Sequence, residues 1–221
     1  DVTSVSRKQD HIQLAFEAQV ASAALDERFY YEPLLAAHPK AGDDTSFEFL
    51  GKTMRAPLWV SSMTGGTEYA SRINKNLARA AAEFGFGMGL GSCRGLLTSD
   101  EYLADFDVRA IIGPDLPLYA NLGIAQLEVL LAEKKLHLIT ELVNKLRVDG
   151  LIIHVNPLQE WLQPEGDQFA HPPLDTIRRM LDALSSRKWG KEWVFAVWRL
   201  CYNCHWQPLI LPPTAVPTSP S

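Results

Sequence analysis

The spacing of four apolar, β-prone segments constrains this chain more than any other feature. They begin at Leu58, Gly87, Leu118 and Gly150, about 30 residues apart, and helical patterns fill the intervals. Parallel strands need a crossover of a dozen or more residues, which a helix supplies. Strand, loop and helix repeated at this period therefore predict βαβ units and a parallel sheet in an α/β fold. Leu58-Trp59-Val60 reads as a buried strand running into the turn Ser61-Ser62-Met63-Thr64-Gly65-Gly66. Residues 68 to 84 place Ile73, Leu77, Ala80, Ala81 and Phe84 at helical spacing, closed by Gly85. Strands follow at Gly87-Met88-Gly89-Leu90-Gly91, Leu118 to Gly123 and Gly150 to Asn156, with one helix predicted over about 124 to 146.

Candidate site residues gather just after each strand. They are Ser62, Met63 and Thr64, then Ser92 and Arg94, then Asn121, then His154, Asn156, Gln159 and Glu160. A closed (β/α)₈ barrel brings all such strand ends to one face, where barrel active sites are built. A doubly wound sheet also binds ligands at strand ends, but chiefly at one switch point. The spread over four strand ends favours the barrel.

Each motif has a plain structural reading beside the functional one. Thr64-Gly65-Gly66 offers backbone N–H groups to an anion or a flavin edge, although a glycine pair after a strand is commonly just a turn. His154 and Asn156 alternate on one strand face, so their side chains point the same way, with Gln159 and Glu160 in the loop beyond. A lone histidine there would be an ordinary core residue; four polar groups within seven positions of an apolar strand argue for a site. Glu160 is the natural ligand for a hard cation, because one carboxylate plus phosphate oxygens is a common way to hold Mg²⁺. Arg7, Lys8 and His11 read as a solvated arm or as a diphosphate clamp. Pro164-Glu165-Gly166-Asp167 is a turn by composition.

Charge and cysteine content narrow the function classes. Lys and Arg total 21 against 26 Asp and Glu, a net charge of −5, so no overall positive field draws a nucleic acid. No apolar run reaches the roughly 20 residues of a membrane span, and Asp1 to His11 lacks the apolar core of a signal peptide, so a cytoplasmic location is expected. Three cysteines, Cys93, Cys201 and Cys204, are too few for a disulfide scaffold. Cys201-Tyr202-Asn203-Cys204-His205 has the form of a c-type haem attachment motif, but that chemistry needs export, which nothing here directs.

The pattern breaks near residue 185. The last 37 residues hold four of six Trp, two of three Cys, five of 14 Pro and one acidic residue, Glu192. From Trp206 onward no period of 2 or 3.6 is visible, and no further βα unit is expected there.

Taken jointly, Arg7-Lys8-x-x-His11-Ile12, Ser62-Met63-Thr64-Gly65-Gly66, Gly91-Ser92-x-Arg94, Ala120-Asn121-Leu122-Gly123, His154-Val155-Asn156-x-x-Gln159-Glu160 and Pro164-Glu165-Gly166-Asp167 resemble type 2 isopentenyl-diphosphate isomerase. The resemblance runs from about residue 6 to 184. It implies a (β/α)₈ TIM barrel, here about its first four βα units, that interconverts isopentenyl and dimethylallyl diphosphate in isoprenoid biosynthesis. The family uses FMN, reduced by a nicotinamide such as NADPH, and Mg²⁺; its intact members are expected to be homo-oligomers. By position, Arg7 and Lys8 hold the diphosphate with Ser92 and Arg94 near it, and Met63, Thr64, Gly65, Ser92 and Asn121 line FMN. His154, Asn156 and Gln159 face substrate as the candidate catalytic groups, Gln159 also binding it, and Glu160 binds Mg²⁺. Cys93 stands where many members have Gln, and no role is assigned to its thiol.

The family continues with a strand reading VIVKEVGxGM and then a GGTNF loop, neither of which this chain shows. Both are reachable in another reading frame. The codons TCG TCA AGG AAG TGG GGC AAG GAA TGG encode Ser185 to Trp193 and, regrouped from the third base, read VKEVGQGM. Likewise Ala215 to Ser219, after a codon ending in G, permits GGTNF, and allowed codons between give FRRLAPLLQLPLAAIDFAAY, a helix then a strand. Two family motifs at the right separation point to a frameshift near Ser185, which makes residues 185–221 an out-of-frame, non-native tail rather than a domain. Little or no activity is then expected of the chain as written. The alternatives are a non-catalytic frameshifted product and a different FMN-dependent barrel oxidoreductase, such as a 2-hydroxy-acid oxidase. Arg7-Lys8 and Gln159-Glu160 speak against the latter, which needs no diphosphate clamp with Mg²⁺.

Overall fold

The computed structural model describes residues 34, 37–38, 40–62, 68–162, 166–185, 194–200 and 206–211. The chain forms two compact units, Asp1–Asp44 and Thr45–Ser221. In the first, Asp43 closes a turn: its side chain accepts from the Lys40 amide at 2.7 Å and its own amide donates to the Lys40 carbonyl at 3.1 Å.

The second unit opens with an antiparallel hairpin, β1 (Phe47–Phe49) and β2 (Lys52–Met54). Leu50 and Gly51 form its two-residue loop, both at positive φ, as a hairpin of this length demands. Next come β3 (Trp59–Val60), α1 (Glu68–Phe84), β4 (Gly87–Ser92), α2 (Leu103–Phe106), α3 (Arg109–Ile112) and β5 (Leu118–Gly123). Then follow α4 (Ile124–Ala132), α5 (His137–Leu146), β6 (Gly150–Val155), α6 (Pro157–Leu162), α7 (Pro173–Ser185), β7 (Val194–Leu200) and β8 (Trp206–Leu211). No helix among the described residues is long and apolar enough to cross a membrane.

β3 to β8 lie in chain order in one sheet; β3 to β7 run parallel and β8 returns antiparallel on β7. Because the order never reverses, the described strands contain no switch point of the doubly wound kind. They make four consecutive strand–helix units, as the spacing predicts.

Strand alternation divides the sheet into two faces. Met88, Leu90, Leu118, Ala120, Leu122, Leu151 and Ile153 pack with residues of α1, α4, α5 and α7 in the main core. Tyr119 and Ile152 point the other way and pack with Phe49 and Trp59. Trp59 stacks on Tyr119 with centroids 5.4 Å apart, and the hairpin residue Phe49 meets both rings. The alternating glycines of β4 make this possible: a Cβ at Gly87 would overlap the Trp59 ring, and one at Gly89 would overlap Ser62 Oγ.

The amino-terminal edge is tied by Asp149. Its carboxylate accepts from Arg109 Nη2 at 2.7 Å and from the Leu118 amide at 2.8 Å, and pairs with Lys52 of β2 at 2.7 Å. Arg109 also donates to the carbonyls of Arg147, Gly113 and Leu116.

Three sequence expectations need correction. The single helix over 124 to 146 is two, because Lys134 takes a left-handed φ of 59° and the Lys135 amide donates back to the Leu130 carbonyl, closing α4. The apolar run continues across the break, so periodicity does not show it. Gln159 and Glu160 lie in α6 rather than a loop; Pro157 has its φ preset for a first turn, and the Glu160 amide donates to the Asn156 carbonyl at 3.0 Å. Finally, Trp206–Leu211 is a strand despite its lack of period. Its place at the sheet edge is where a proline such as Pro208 is tolerated, since one side of the backbone need not pair.

Candidate functional site

The carboxyl ends of β4, β5 and β6 carry the candidate residues. Ser92 ends β4 and pairs with Asn121 of β5, and Gly123 pairs with His154 of β6. Strand alternation puts Asn121, His154 and Asn156 on the face of Tyr119 and Ile152, away from the helices. Asn121 and Asn156 are 4% and 5% exposed, so both are polar groups buried at strand ends.

The next shell forms because the chain after β6 turns back. Asn156 Nδ2 donates to Glu160 Oε1 at 2.9 Å, and the Asp167 amide donates to Glu160 Oε2 at 2.8 Å. Both carboxylate oxygens are thus aimed. The approach depends on Gly166, because a Cβ there would fall onto the main-chain carbonyl of Glu160. The Asp167 carboxylate in turn receives Arg94 Nη1 at 2.6 Å and Gln126 Nε2 at 2.8 Å. Arg94, Asp167, Glu160 and Asn156 therefore form one connected polar network, which joins the loop after β4 to the end of β6.

Several candidates lie outside the described residues: Arg7, Lys8, Met63, Thr64 and Gly65, and also the side chain of Gln159, whose backbone belongs to α6. Of those described, Arg94, Asn156 and Glu160 are brought into the network, Ser92 and Asn121 are register partners, and His154 is half-buried on the same strand face. Sequence reasoning quoted Asp167 within a turn and motif without giving it a role, and did not single out Gln126. Asp167 sat in a segment whose composition explained itself as a turn, and Gln126 is one polar residue in an apolar helix, with no local signal.

The groups present suit the two ligands that the resemblance implies. Ser62 Oγ and Trp59 Nε1 are buried with no hydrogen-bond partner among the described residues, so this face offers free donors to a heteroaromatic ring. No group of three His, Cys, Asp or Glu among the described residues forms a metal cage. One aimed carboxylate, Glu160, suits Mg²⁺ that keeps its waters and shares phosphate oxygens.

Two titratable groups give checkable consequences. Burial pushes the Cys93 thiol up to about 12, only partly opposed by its backbone contact at Asn121. Iodoacetamide at mildly alkaline pH is expected to leave the Cys93 peptide unmodified in the folded chain and to label it fully in urea, read by peptide mass spectrometry. Burial also lowers the pKa of His154, with the Glu160 charge opposing. Between that lowered value and about 6.5 the unfolded chain takes up a proton and the folded chain does not. His154 therefore costs stability as pH falls through that window, and His154→Gln is expected to flatten the fall in Tm between about pH 7 and about pH 5.5.

No family model matches the chain. Curated relatives named isopentenyl-diphosphate delta-isomerase do: the protein of Rickettsia felis is 39% identical over 184 residues, which is 82% of this chain and 52% of the relative. Those of Rickettsia typhi and Rickettsia africae are 39% and 40% identical over 83% and 82% of this chain. The chain spans about half the length of the curated relatives it matches.

Proposed function

We propose that this chain is the amino-terminal half of an FMN-dependent, type 2 isopentenyl-diphosphate isomerase whose residues 185–221 are read in the wrong frame. The observation that carries the reading is the network of Arg94, Asp167, Glu160 and Asn156 at the strand ends. Arg94 and Glu160, linked through Asp167, support a reading in which a guanidinium serves a diphosphate and a carboxylate its divalent cation, and the relatives bear that activity in their names. The four strand–helix units in chain order support membership of a (β/α)₈ barrel. The relatives match 82% of the chain, close to the share that precedes residue 185, and β7 is followed by an antiparallel strand rather than by another helix.

In this reading Arg7 and Lys8 clamp the diphosphate with Ser92 and Arg94, and Glu160 takes Mg²⁺ jointly with phosphate oxygens. Met63, Thr64, Gly65, Ser92 and Asn121 line FMN, which NADPH keeps reduced. Bound reduced FMN supplies the acid and base for proton transfer at the allylic carbons, so the reaction is redox-neutral overall. His154, Asn156 and Gln159 orient the hydrocarbon end against the ring; a neutral His154, favoured by its burial, adds no positive charge where a proton must be moved. Intact protein of this family is expected to act as a cytoplasmic homo-oligomer. Product analysis with isopentenyl diphosphate, FMN, NADPH and Mg²⁺ on the frame-restored protein tests the reading. Formation of dimethylallyl diphosphate supports it; flavin oxidation of a hydroxy acid in its place would move the chain to the oxidase class.

A further inference from the structure

We propose that Asp167 is a positioning residue that acts on a bound diphosphate through Arg94, an inference that rests on the assignment of Arg94 to that diphosphate. Arg94 leaves a 3₁₀ turn (Arg94–Leu97) with its side chain 61% exposed, so nothing on its own element fixes the guanidinium. A side chain of that length loses much rotamer freedom when it grips a ligand unless something else already holds it. Asp167 holds it: Oδ2 receives Nη1 at 2.6 Å and Oδ1 faces Nη2 at 3.4 Å. A guanidinium has five N–H donors, and this contact leaves Nε–H and the outer Nη hydrogens for phosphate oxygens.

Asp167 is itself anchored on two sides. Gln126 Nε2 donates to Oδ2 at 2.8 Å, and the Asp167 amide donates to Glu160 at 2.8 Å. One residue therefore spaces the anion-binding guanidinium from the cation-binding carboxylate, and the glycine before it permits the close approach.

The test is calorimetric binding of inorganic pyrophosphate with Mg²⁺ to the full chain and to Arg94→Ala, Asp167→Ala and the double variant. Each single change is expected to weaken binding roughly tenfold, with the double variant no weaker than Arg94→Ala, because Asp167 acts only through Arg94. Asp167→Asn, which keeps the shape, and Gln126→Ala are expected to lose part of the same affinity, and they carry the test if Asp167→Ala fails to fold. No binding by the unsubstituted chain, or none of the loss in Arg94→Ala, overturns the diphosphate assignment and this inference with it. Loss in Arg94→Ala without loss in the Asp167 and Gln126 variants, or losses that add in the double variant, overturns the inference alone. Tighter binding in Asp167→Asn overturns it too, since Asp167 would then be a competitor for the guanidinium.

Discussion

Restoring the other reading frame from Ser185 onward is expected to raise turnover of isopentenyl diphosphate at least roughly a hundredfold over the 221-residue chain, since small displacements of positioning groups already cost about that much. The expectation follows from where the site residues lie. A barrel active site is assembled from the ends of several strands, and under the proposed reading the four strand–helix units here would supply one side of it. In the proposed reading, the groups for Mg²⁺ and diphosphate lie at β4 and β6, whereas the flavin-contacting lysine of VKEVGQGM and the GGTNF loop belong to the other frame. Weak FMN binding and colourless protein are expected of the chain as written; the restored protein should be yellow. Flavin absorbance after desalting, with product analysis, reads both. A yellow 221-residue chain turning over at full rate would defeat the prediction.

Arg109→Leu is expected to lower the unfolding free energy by about 3 kcal/mol or more, because it removes the buried member of an ion pair together with its three hydrogen bonds to main-chain carbonyls. The Arg109 side chain is 9% exposed and that of Asp149 26%, so solvent replaces little of what is lost. The guanidinium also satisfies the carbonyls of Arg147, Gly113 and Leu116, which no leucine can do. At the scale of a domain this size the loss corresponds to a fall in Tm of roughly 6–12 °C. Lys52 pairs with the same carboxylate, so Asp149 is not left wholly alone and some stability survives. Thermal unfolding by circular dichroism measures the change; a fall under about 1 kcal/mol, the size of a surface pair, would show that the network is ornamental.

Much of the frame of this fold was legible in the sequence because its signals are local. Leu118–Gly123 is the predicted strand residue for residue, and α1 ends where Gly85 takes φ +74°. What escaped was non-local or self-effacing. The break between α4 and α5 lies under an unbroken apolar pattern, and α6 was hidden by the polar look of Gln159 and Glu160. The strand β8 depends on a neighbour to pair with, which no local period records. The glycines of β4 are spaced like any strand glycines; only Trp59, pressed against Gly87 from the preceding strand, shows why they are there. The same holds at the site. Glu160 stood out in sequence as a candidate from its neighbours, whereas its orientation by Asn156 and the Asp167 amide, and the capture of Arg94 by a residue 73 positions away, exist only in three dimensions.

The most direct measurement is the DNA sequence across the codons for Ala183 to Trp189 and onward past that for Ser221. Codons that, regrouped by one base, spell VKEVGQGM, a helix and strand, and GGTNF, and then continue as barrel, are expected there. Codons for residues 185–221 whose other frame meets a stop, or spells neither motif, would contradict it and leave this tail as the chain's own sequence.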